Sequence, residues 1–196
     1  MTKLLIIIPT VPGNEEVLQK CIKSIFKTTK EDFNIVIGKN NFIGSPYGCN
    51  QGLKYAINNK EVEHVLMIND DIEMLPGWYE AYKEKLDEGY DIIGDNGMHR
   101  RPGRPSEHMA MCIVMFPAIT VRIVGLLDEG IEFGEWEDID YCIRAKNLGL
   151  GKMCQLERAY CRHKGSHTMC KMSKEQKQAN KDYFIKKWGK ISEIYV

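Results

Sequence analysis

The sequence predicts an α/β protein with a mostly parallel sheet and helices on both faces of that sheet. Wholly apolar runs of strand length occur at residues 4–8 and 65–68. Such continuous runs are typical of parallel strands that are buried on both sides. Between them, apolar residues recur at helical spacing. The first half of the chain therefore has the order β-α-β-α-β, which favours a parallel sheet with crossover helices.

The individual elements follow from the same two periodicities and from capping signals. Strands are predicted at residues 4–8, 33–37, 65–68, 91–94 and 111–116. Helices are predicted after the N-cap residue Asn14, from the glycine-rich loop 44–52 through Ala56, at 78–86, at 138–148 and at Lys174–Trp188. We find no repeat and no linker, so we expect one domain that covers residues 1–196.

The composition excludes several classes of protein. Lys plus Arg is 27 and Asp plus Glu is 27, so the formal net charge is 27 − 27 = 0. Bulk nucleic-acid binding, which usually needs a basic excess, is not expected. The longest apolar run, residues 4–8, is far shorter than the roughly 20 residues that span a bilayer. We therefore expect neither a membrane span nor a signal peptide.

The cysteines indicate a reducing compartment. There are 7 of them, an odd number, and no two have CxxC spacing. This pattern is more typical of free thiols than of a disulfide framework. The expected location is the cytoplasm.

Two acidic clusters are candidates for chemistry. Asp70 and Asp71 come directly after the strand at 65–68, where carboxylates can hold Mg²⁺ or Mn²⁺ and, through the ion, a diphosphate. The alternative is a turn in which both acids bond backbone amides. Glu137 and Asp138 stand at the start of a predicted helix. One of them is a candidate general base, but acids at this position also stabilise the helix dipole.

Two further clusters leave their alternatives open. Cys161, His163, His167 and Cys170 have a spacing that suits zinc, although the usual CxxC knuckle is absent. The other interpretations are core cysteines with loop histidines, and a metal that His163 shares with Asp71. Arg101 lies in a short basic run that suits an anionic group or is simply a solvated loop.

Taken in order, these motifs resemble the family 2 glycosyltransferases with the GT-A fold, which is a Rossmann-like arrangement. The similarity covers nearly the whole chain. The segments that carry it are 4–10, 44–52, 65–72 with 76–78, 125–129 with 137–144, and 163–168.

The resemblance implies a role for individual residues. Asp71 matches the metal-binding aspartate that ends the DxD motif, with Asp70 in its middle, and His163 matches a histidine of the metal site. Asp138 matches the general base, with Glu137 beside it. Donor contacts are implied for Pro9, Thr10, Asn50 and Asp70, and acceptor-side positions for Trp136 and Arg101. Residues 1–100 would then form the donor and metal half, and residues 101–196 the acceptor half.

The implied activity is that of an inverting glycosyltransferase. It would move a sugar from a nucleotide-diphosphate sugar to an acceptor hydroxyl with the help of Mn²⁺ or Mg²⁺. The acceptor would be a glycan, a lipid-linked sugar, a protein or a modified base. One departure from the family is the turn after the second strand: it reads Gly38-Lys39-Asn40-Asn41, without the aspartate that commonly recognises the base. The alternatives are a nucleotidyltransferase and a non-enzymatic, zinc-stabilised binding module.

Overall fold

The computed structural model describes residues 3–41, 44–95, 108–132, 134–163 and 172–189. In these ranges the strands are Leu4–Thr10 (β1), Phe33–Lys39 (β2), His64–Ile68 (β3), Ile72–Met74 (β4), Ile92–Gly94 (β5), Ile113–Pro117 (β6), Met153–Gln155 (β7) and Cys161–His163 (β8). The helices are Glu15–Thr28 (α1), Ser45–Asn58 (α2), Trp78–Asp87 (α3), Ala118–Val124 (α4), Glu137–Asn147 (α5) and Lys174–Trp188 (α6).

Within the described ranges, six strands form one sheet in the order β2-β1-β3-β6-β5-β7. β1 is parallel to β2 and to β3, and β5 is parallel to β7. Only β6 among them runs antiparallel to its neighbours, β3 and β5. The predicted mostly parallel sheet is therefore confirmed. The sheet also places β6, from the second half of the chain, between two strands of the first half.

Helices cover both faces of this sheet, as predicted. Alternate residues of β1 point to opposite faces. Leu5 and Ile7 pack in one buried cluster with residues of α2, α4 and α5, whereas Ile6 and Ile8 pack in another with residues of α1 and α3. In the part of the chain that the structure describes, no helix combines the length and the apolar character needed to span a bilayer.

The glycines of segment 44–52 lie mostly in a helix, which corrects the predicted ligand loop. α2 begins at Ser45, with Pro46 in its first turn, a position that suits proline. A Cβ on Gly52 would meet Ile7 at 2.5 Å, and one on Gly38 would meet the carbonyl oxygen of Gly48 at 1.9 Å. These glycines let α2 pack closely on β1 and β2, a gain that offsets their cost of roughly 0.5–1 kcal/mol each in a helix.

A small second sheet consists of β4 and β8, which pair antiparallel with Ile72 opposite His163. The sequence analysis predicts neither strand, and it also misses β7 and α4. Each of these strands has three residues, too few to show an apolar periodicity. The helix at Lys174–Trp188 is confirmed with the predicted bounds.

Candidate active site

The carboxyl ends of β1 and β3 meet at one edge of the main sheet, because these strands are parallel neighbours. Thr10, the last residue of β1, donates a hydrogen bond from Oγ1 to Asp70 Oδ2 at 2.6 Å. Asn14 Nδ2 donates to the same oxygen at 3.1 Å. The structure thus brings the two predicted donor-binding residues Thr10 and Asp70 together. Asp70 joins the turn after β1 to the segment after β3.

Asn14 is a residue of this site that the sequence analysis assigned only to capping. It occupies the N-cap position of α1, yet its side chain makes no capping hydrogen bond. Its amide goes to Asp70 instead. Since Asn is a common N-cap residue, the sequence alone contains no signal for this contact, which joins positions 56 residues apart.

Pro9 and Asn50, two further predicted donor contacts, both take part in packing around α2. A Cβ added at Gly48 would lie 3.0 Å from Pro9 Cβ. The Asn50 amide donates to Leu127 O at 3.0 Å and to Glu129 Oε1 at 2.8 Å, and its Oδ1 accepts from Leu127 N at 2.9 Å. Asn50 therefore fastens the 127–129 segment to α2, and its direct contact with a donor stays a prediction.

Asp71 and His163, the two predicted metal ligands, lie side by side. Because Ile72 pairs with His163 in the β4–β8 sheet, the residue before β4 is brought next to the end of β8. Asp71 Oδ1 lies 3.1 Å from His163 Nε2, with side-chain exposures of 6% and 16%. Both atoms are buried, and within the described residues neither makes a hydrogen bond.

This pair suits a divalent cation. At this distance a protonated imidazole would form an ion pair with the carboxylate. With an unprotonated Nε2 the two atoms would face each other as acceptors, an arrangement that costs roughly 1–3 kcal/mol for a buried polar atom and that a cation would relieve. Carboxylate oxygen and imidazole nitrogen are both ligands for manganese-like ions. Neighbouring ligands of an octahedral ion at 2.0–2.1 Å lie about 3 Å apart, close to the observed separation of 3.1 Å.

A complete cage of protein ligands is not present in the described ranges, where no group of three or more His, Cys, Asp or Glu side chains could hold a metal ion. Two protein ligands are enough for Mg²⁺-like ions that take their other ligands from water and substrate phosphates. The zinc interpretation of the cluster formed by Cys161, His163, His167 and Cys170 is described only in part. Cys161 is buried, and burial raises the pKa of its thiol far above the usual range. His167 and Cys170 lie outside the described residues.

Glu137 and Asp138, the predicted catalytic acids, form the first turn of α5. Asp138 is 6% exposed, and its Oδ1 accepts a hydrogen bond from the Ile139 N–H at 3.0 Å. Burial raises the pKa of Cys49 to about 12, and the charge of Glu137 contributes to this increase. Glu137 is therefore near the first turns of α2. Gly48, the neighbour of Cys49, packs on Pro9, and closeness of the two acids to Thr10 and Asp70 stays a prediction.

The turn before α5 has an unusual backbone. Glu135 and Trp136 have φ values of 68° and 78°, which lie in the left-handed region. This region costs a non-glycine residue roughly 1–2 kcal/mol, and such strain persists only where the surroundings enforce it. Asn180 of α6 supplies part of that constraint, since its Nδ2 donates to Glu132 O at 2.6 Å and to Gly134 O at 2.8 Å. The sequence does contain a signal for the burial of this residue. Asn180 is a polar residue one turn before the apolar Phe184, so it lies on the buried side of α6.

A second polar cluster docks α6 onto α5. Asp140 is fully buried, and its carboxylate accepts from Arg144 Nε at 2.9 Å and from Trp188 Nε1 at 2.7 Å. Lys187 Nζ lies 2.6 Å from Asp140 and 2.5 Å from Asp128. Replacement of Asp140 would therefore leave the cations of this network without their buried partner.

The two predicted acceptor-side residues have different outcomes. The Trp136 ring packs on Phe184 of α6 with a centroid distance of 5.0 Å. This contact supports a partly structural role, and stacking of Trp136 on a sugar stays a prediction. Arg101 lies outside the described residues.

Comparisons with known proteins give similarities of fold only. No protein-family model matches the chain, and no curated protein matches it. Among solved structures, Drosophila β1,4-galactosyltransferase 7 in complex with xylobiose is 13% identical, with a TM-score of 0.65 over 92% of this chain and 80% of that one. S. aureus TarS is 15% identical, with a TM-score of 0.62 over 83% of this chain. A197 from STIV is 14% identical, with a TM-score of 0.60 over 85% of this chain and 87% of that one.

Some of these structures hold ligands. TarS has been solved with UDP-GlcNAc, and a mutant of the Drosophila enzyme with manganese, UDP-Gal and xylobiose. The present chain spans 60% of the first TarS structure. The strand order and these similarities together establish that the chain has a GT-A-like fold, as its motifs predict.

Proposed function

We propose that this protein is an inverting glycosyltransferase that moves a sugar from a nucleotide-diphosphate sugar to an acceptor hydroxyl. The observation that carries the proposal is the pair of buried atoms without hydrogen bonds, Asp71 Oδ1 and His163 Nε2, 3.1 Å apart next to the carboxyl end of β3. In open α/β sheets ligands bind beyond this end of the strands. The sugar nucleotides in the structures of similar fold support the same class of donor.

Asp71 and His163 would hold the divalent cation, Mn²⁺ or Mg²⁺. When bound, the ion supplies a positive charge that stabilises the diphosphate as it leaves. Asp70 has a separate task, because its Oδ2 is engaged by Thr10 and Asn14. We assign these three residues to the donor-binding surface. Pro9 would contribute to the same surface, and Asn50 would hold residues 127–129 next to α2.

The transfer step assigned to this chain's residues is a direct displacement. The acceptor oxygen forms a bond to the anomeric carbon while the bond from that carbon to the diphosphate oxygen breaks. The proton of the acceptor hydroxyl passes to the Asp138 carboxylate, and the nucleoside diphosphate departs with the bonding electron pair. Asp138 is our general base because it is held at the start of α5, with Glu137 as the neighbouring acid.

The acceptor half would comprise residues 101–196 and the donor half residues 1–100. We propose that Trp136 and Arg101 contribute to acceptor binding, the acceptor being a glycan, a lipid-linked sugar, a protein or a modified base. One neighbour of similar fold was solved with xylobiose, which favours a sugar acceptor. We also propose a cytoplasmic location, since the described cysteines are free thiols.

A donor panel tests this function. The protein is incubated with UDP-, GDP-, ADP- and TDP-sugars, with and without Mn²⁺, and release of nucleoside diphosphate is measured. We expect release with at least one donor, dependent on the cation and abolished in Asp71→Asn. Glu73→Gln, on β4 two residues further along, is the matched control and should retain release. Absence of release with every donor, or equal release by Asp71→Asn, contradicts the proposal.

A further inference from the structure

Asp95 is a buried acid that the proposed reaction does not use. It follows β5 directly and is 1% exposed. β5 runs in the same direction as β3, so its carboxyl end lies at the edge of the sheet where Asp71 stands. Burying a carboxylate is costly unless it accepts hydrogen bonds, so its contacts indicate what the residue does.

Its carboxylate holds the chain just before β8. The Tyr160 N–H donates to Asp95 Oδ1 at 3.2 Å and to Oδ2 at 3.0 Å. On its other side, the Tyr160 carbonyl accepts from the Leu75 N–H at 2.8 Å. The backbone of Tyr160 is therefore fixed between β5 and the residue after β4. β8 starts at the next residue and ends at His163.

The surroundings of the carboxylate agree with this position. Burial, followed by the charge of Asp95, raises the pKa of both Cys161 and Tyr82. Asp95 therefore lies close to the first residue of β8 as well as to the residue before it. From the opposite side, Ser24 Oγ accepts from the Met74 N–H at 2.9 Å, which holds β4 on α1.

We propose that Asp95 is a positioning residue that fixes β8, and through it the imidazole of His163 opposite Asp71. Ser24 bonds to β4 and Asp95 to the residue before β8, so each of these two paired strands has its own attachment to the rest of the fold. This inference rests on the proposed function, in which Asp71 and His163 share a cation. Residues that orient metal ligands typically change metal affinity by about 10–100-fold when they are replaced.

Two substitutions and a control test the inference. Asp95→Ala removes both acceptors of the Tyr160 N–H, whereas Asp95→Asn keeps one carbonyl oxygen as an acceptor. Val62→Ala is the control, because Val62 is a buried core residue just before β3, at the opposite edge of the sheet. For each protein we would measure melting, hydrogen exchange of the amides at 160–163, and Mn²⁺ binding. Binding is followed by loss of the free-ion EPR signal, with Mn²⁺ alone and with UDP.

We expect Asp95→Ala to speed exchange at 160–163 and to weaken Mn²⁺ binding by about tenfold or more. Asp95→Asn should lie between Asp95→Ala and wild type in both measurements. Val62→Ala should lower the melting temperature without changing either of them. Unchanged exchange at 160–163 in Asp95→Ala overturns the inference. So does unchanged Mn²⁺ affinity in that variant while wild type binds. If wild type itself binds no Mn²⁺, the proposed function fails, and the exchange data alone decide whether Asp95 holds β8.

Discussion

Two buried carboxylates, Asp71 and Asp140, differ in what surrounds them. Asp140 is contacted by Arg144, Lys187 and Trp188. Asp71 has one oxygen that lies opposite His163 Nε2 and, within the described residues, makes no hydrogen bond. Both acids are similarly hidden from solvent, and both belong to motifs that resemble those of a glycosyltransferase.

We interpret the difference as one between a structural acid and the acid that we propose binds a ligand. An acid whose partners are complete stabilises the contact that it makes, and its removal leaves a buried cation unpaired. An acid with a buried oxygen that makes no hydrogen bond lowers the stability of the free protein, and a bound ligand restores that stability. Burial alone therefore does not identify a functional carboxylate, and the partners of each acid must be compared as well.

Asp138 and Asp140, both on α5, allow the same comparison between a proposed functional acid and a structural acid. We expect the larger effect on activity at Asp138. Asp138→Asn keeps an oxygen for the Ile139 N–H but cannot accept the proton of the acceptor. We expect turnover to fall by about 10²–10⁴-fold, with donor affinity and melting near wild type. Steady-state kinetics and donor binding measure this. Retention of more than about a tenth of the turnover would mean that Glu137 is the next candidate for the base.

Asp140→Asn is the matched variant on the same helix. It removes the charge that Arg144 and Lys187 share, and breaking a buried ion pair costs about 3–5 kcal/mol. Because Lys187 is 30% exposed, we expect the lower end, about 3 kcal/mol in the free energy of unfolding. Denaturant unfolding measures it, and turnover per folded molecule should change much less than in Asp138→Asn. An unchanged unfolding midpoint would contradict the assignment of Asp140 as a structural acid.

Asp71→Asn tests the other side. We expect Mn²⁺ affinity in the presence of the nucleoside diphosphate to fall by about tenfold or more. Unfolding of the metal-free protein should change by less than about 1 kcal/mol, because no hydrogen bond is lost at Oδ1. Calorimetric titration gives the affinity, and Glu73→Gln is the control. A large loss of stability in metal-free Asp71→Asn would place Asp71 in the same class as Asp140.

The smallest expected effect concerns pH. Burial raises the pKa of Asp128, but hydrogen bonds from Lys187, Gly130 and Tyr183 outweigh it and hold the pKa below the usual 3.8. A carboxyl whose pKa is lower in the folded state contributes stability at pH values above its unfolded-state pKa. This contribution is lost as the pH falls through the folded-state pKa. Stability should therefore decline below about pH 4, and Asp128→Asn should flatten that decline. Denaturant unfolding between pH 3 and 7 measures it; identical acid limbs would exclude this role of Asp128.

Much of the fold could be predicted because it follows from local patterns. The apolar run at 4–8 has the length and continuity of a buried strand, and residues 17–26 have the apolar spacing of a helix. The strands β4 and β8 have no such pattern, and their pairing depends on contacts between residues far apart in sequence. No local pattern therefore predicts that Asp71 and His163 lie close together: a shared metal is one of three interpretations of the Cys/His cluster, and the resemblance to a family favours it.

The other contacts of the candidate site could not be predicted from the sequence for the same physical reason. Asn14, Asp95 and Asn180 are polar residues whose partners lie 46 to 65 residues away. A polar side chain in a sequence is usually assigned to a cap, a turn or the surface. Only the folded chain shows that each of the three fastens one segment of the candidate site to another.

The reversed strand β6 gives the molecule a position at which it can be altered. Because β6 runs against β5, the chain leaves one strand and enters the other at the same edge of the sheet, the edge beside Asp71. The chain leaves β5 at Gly94 and enters β6 at Ile113 on this edge, so the number of residues between them can change without moving either strand. Lengthening such a connection costs little free energy. A change of length between these two strands would therefore leave the paired strands, and the residues that follow β1 and β3, in place.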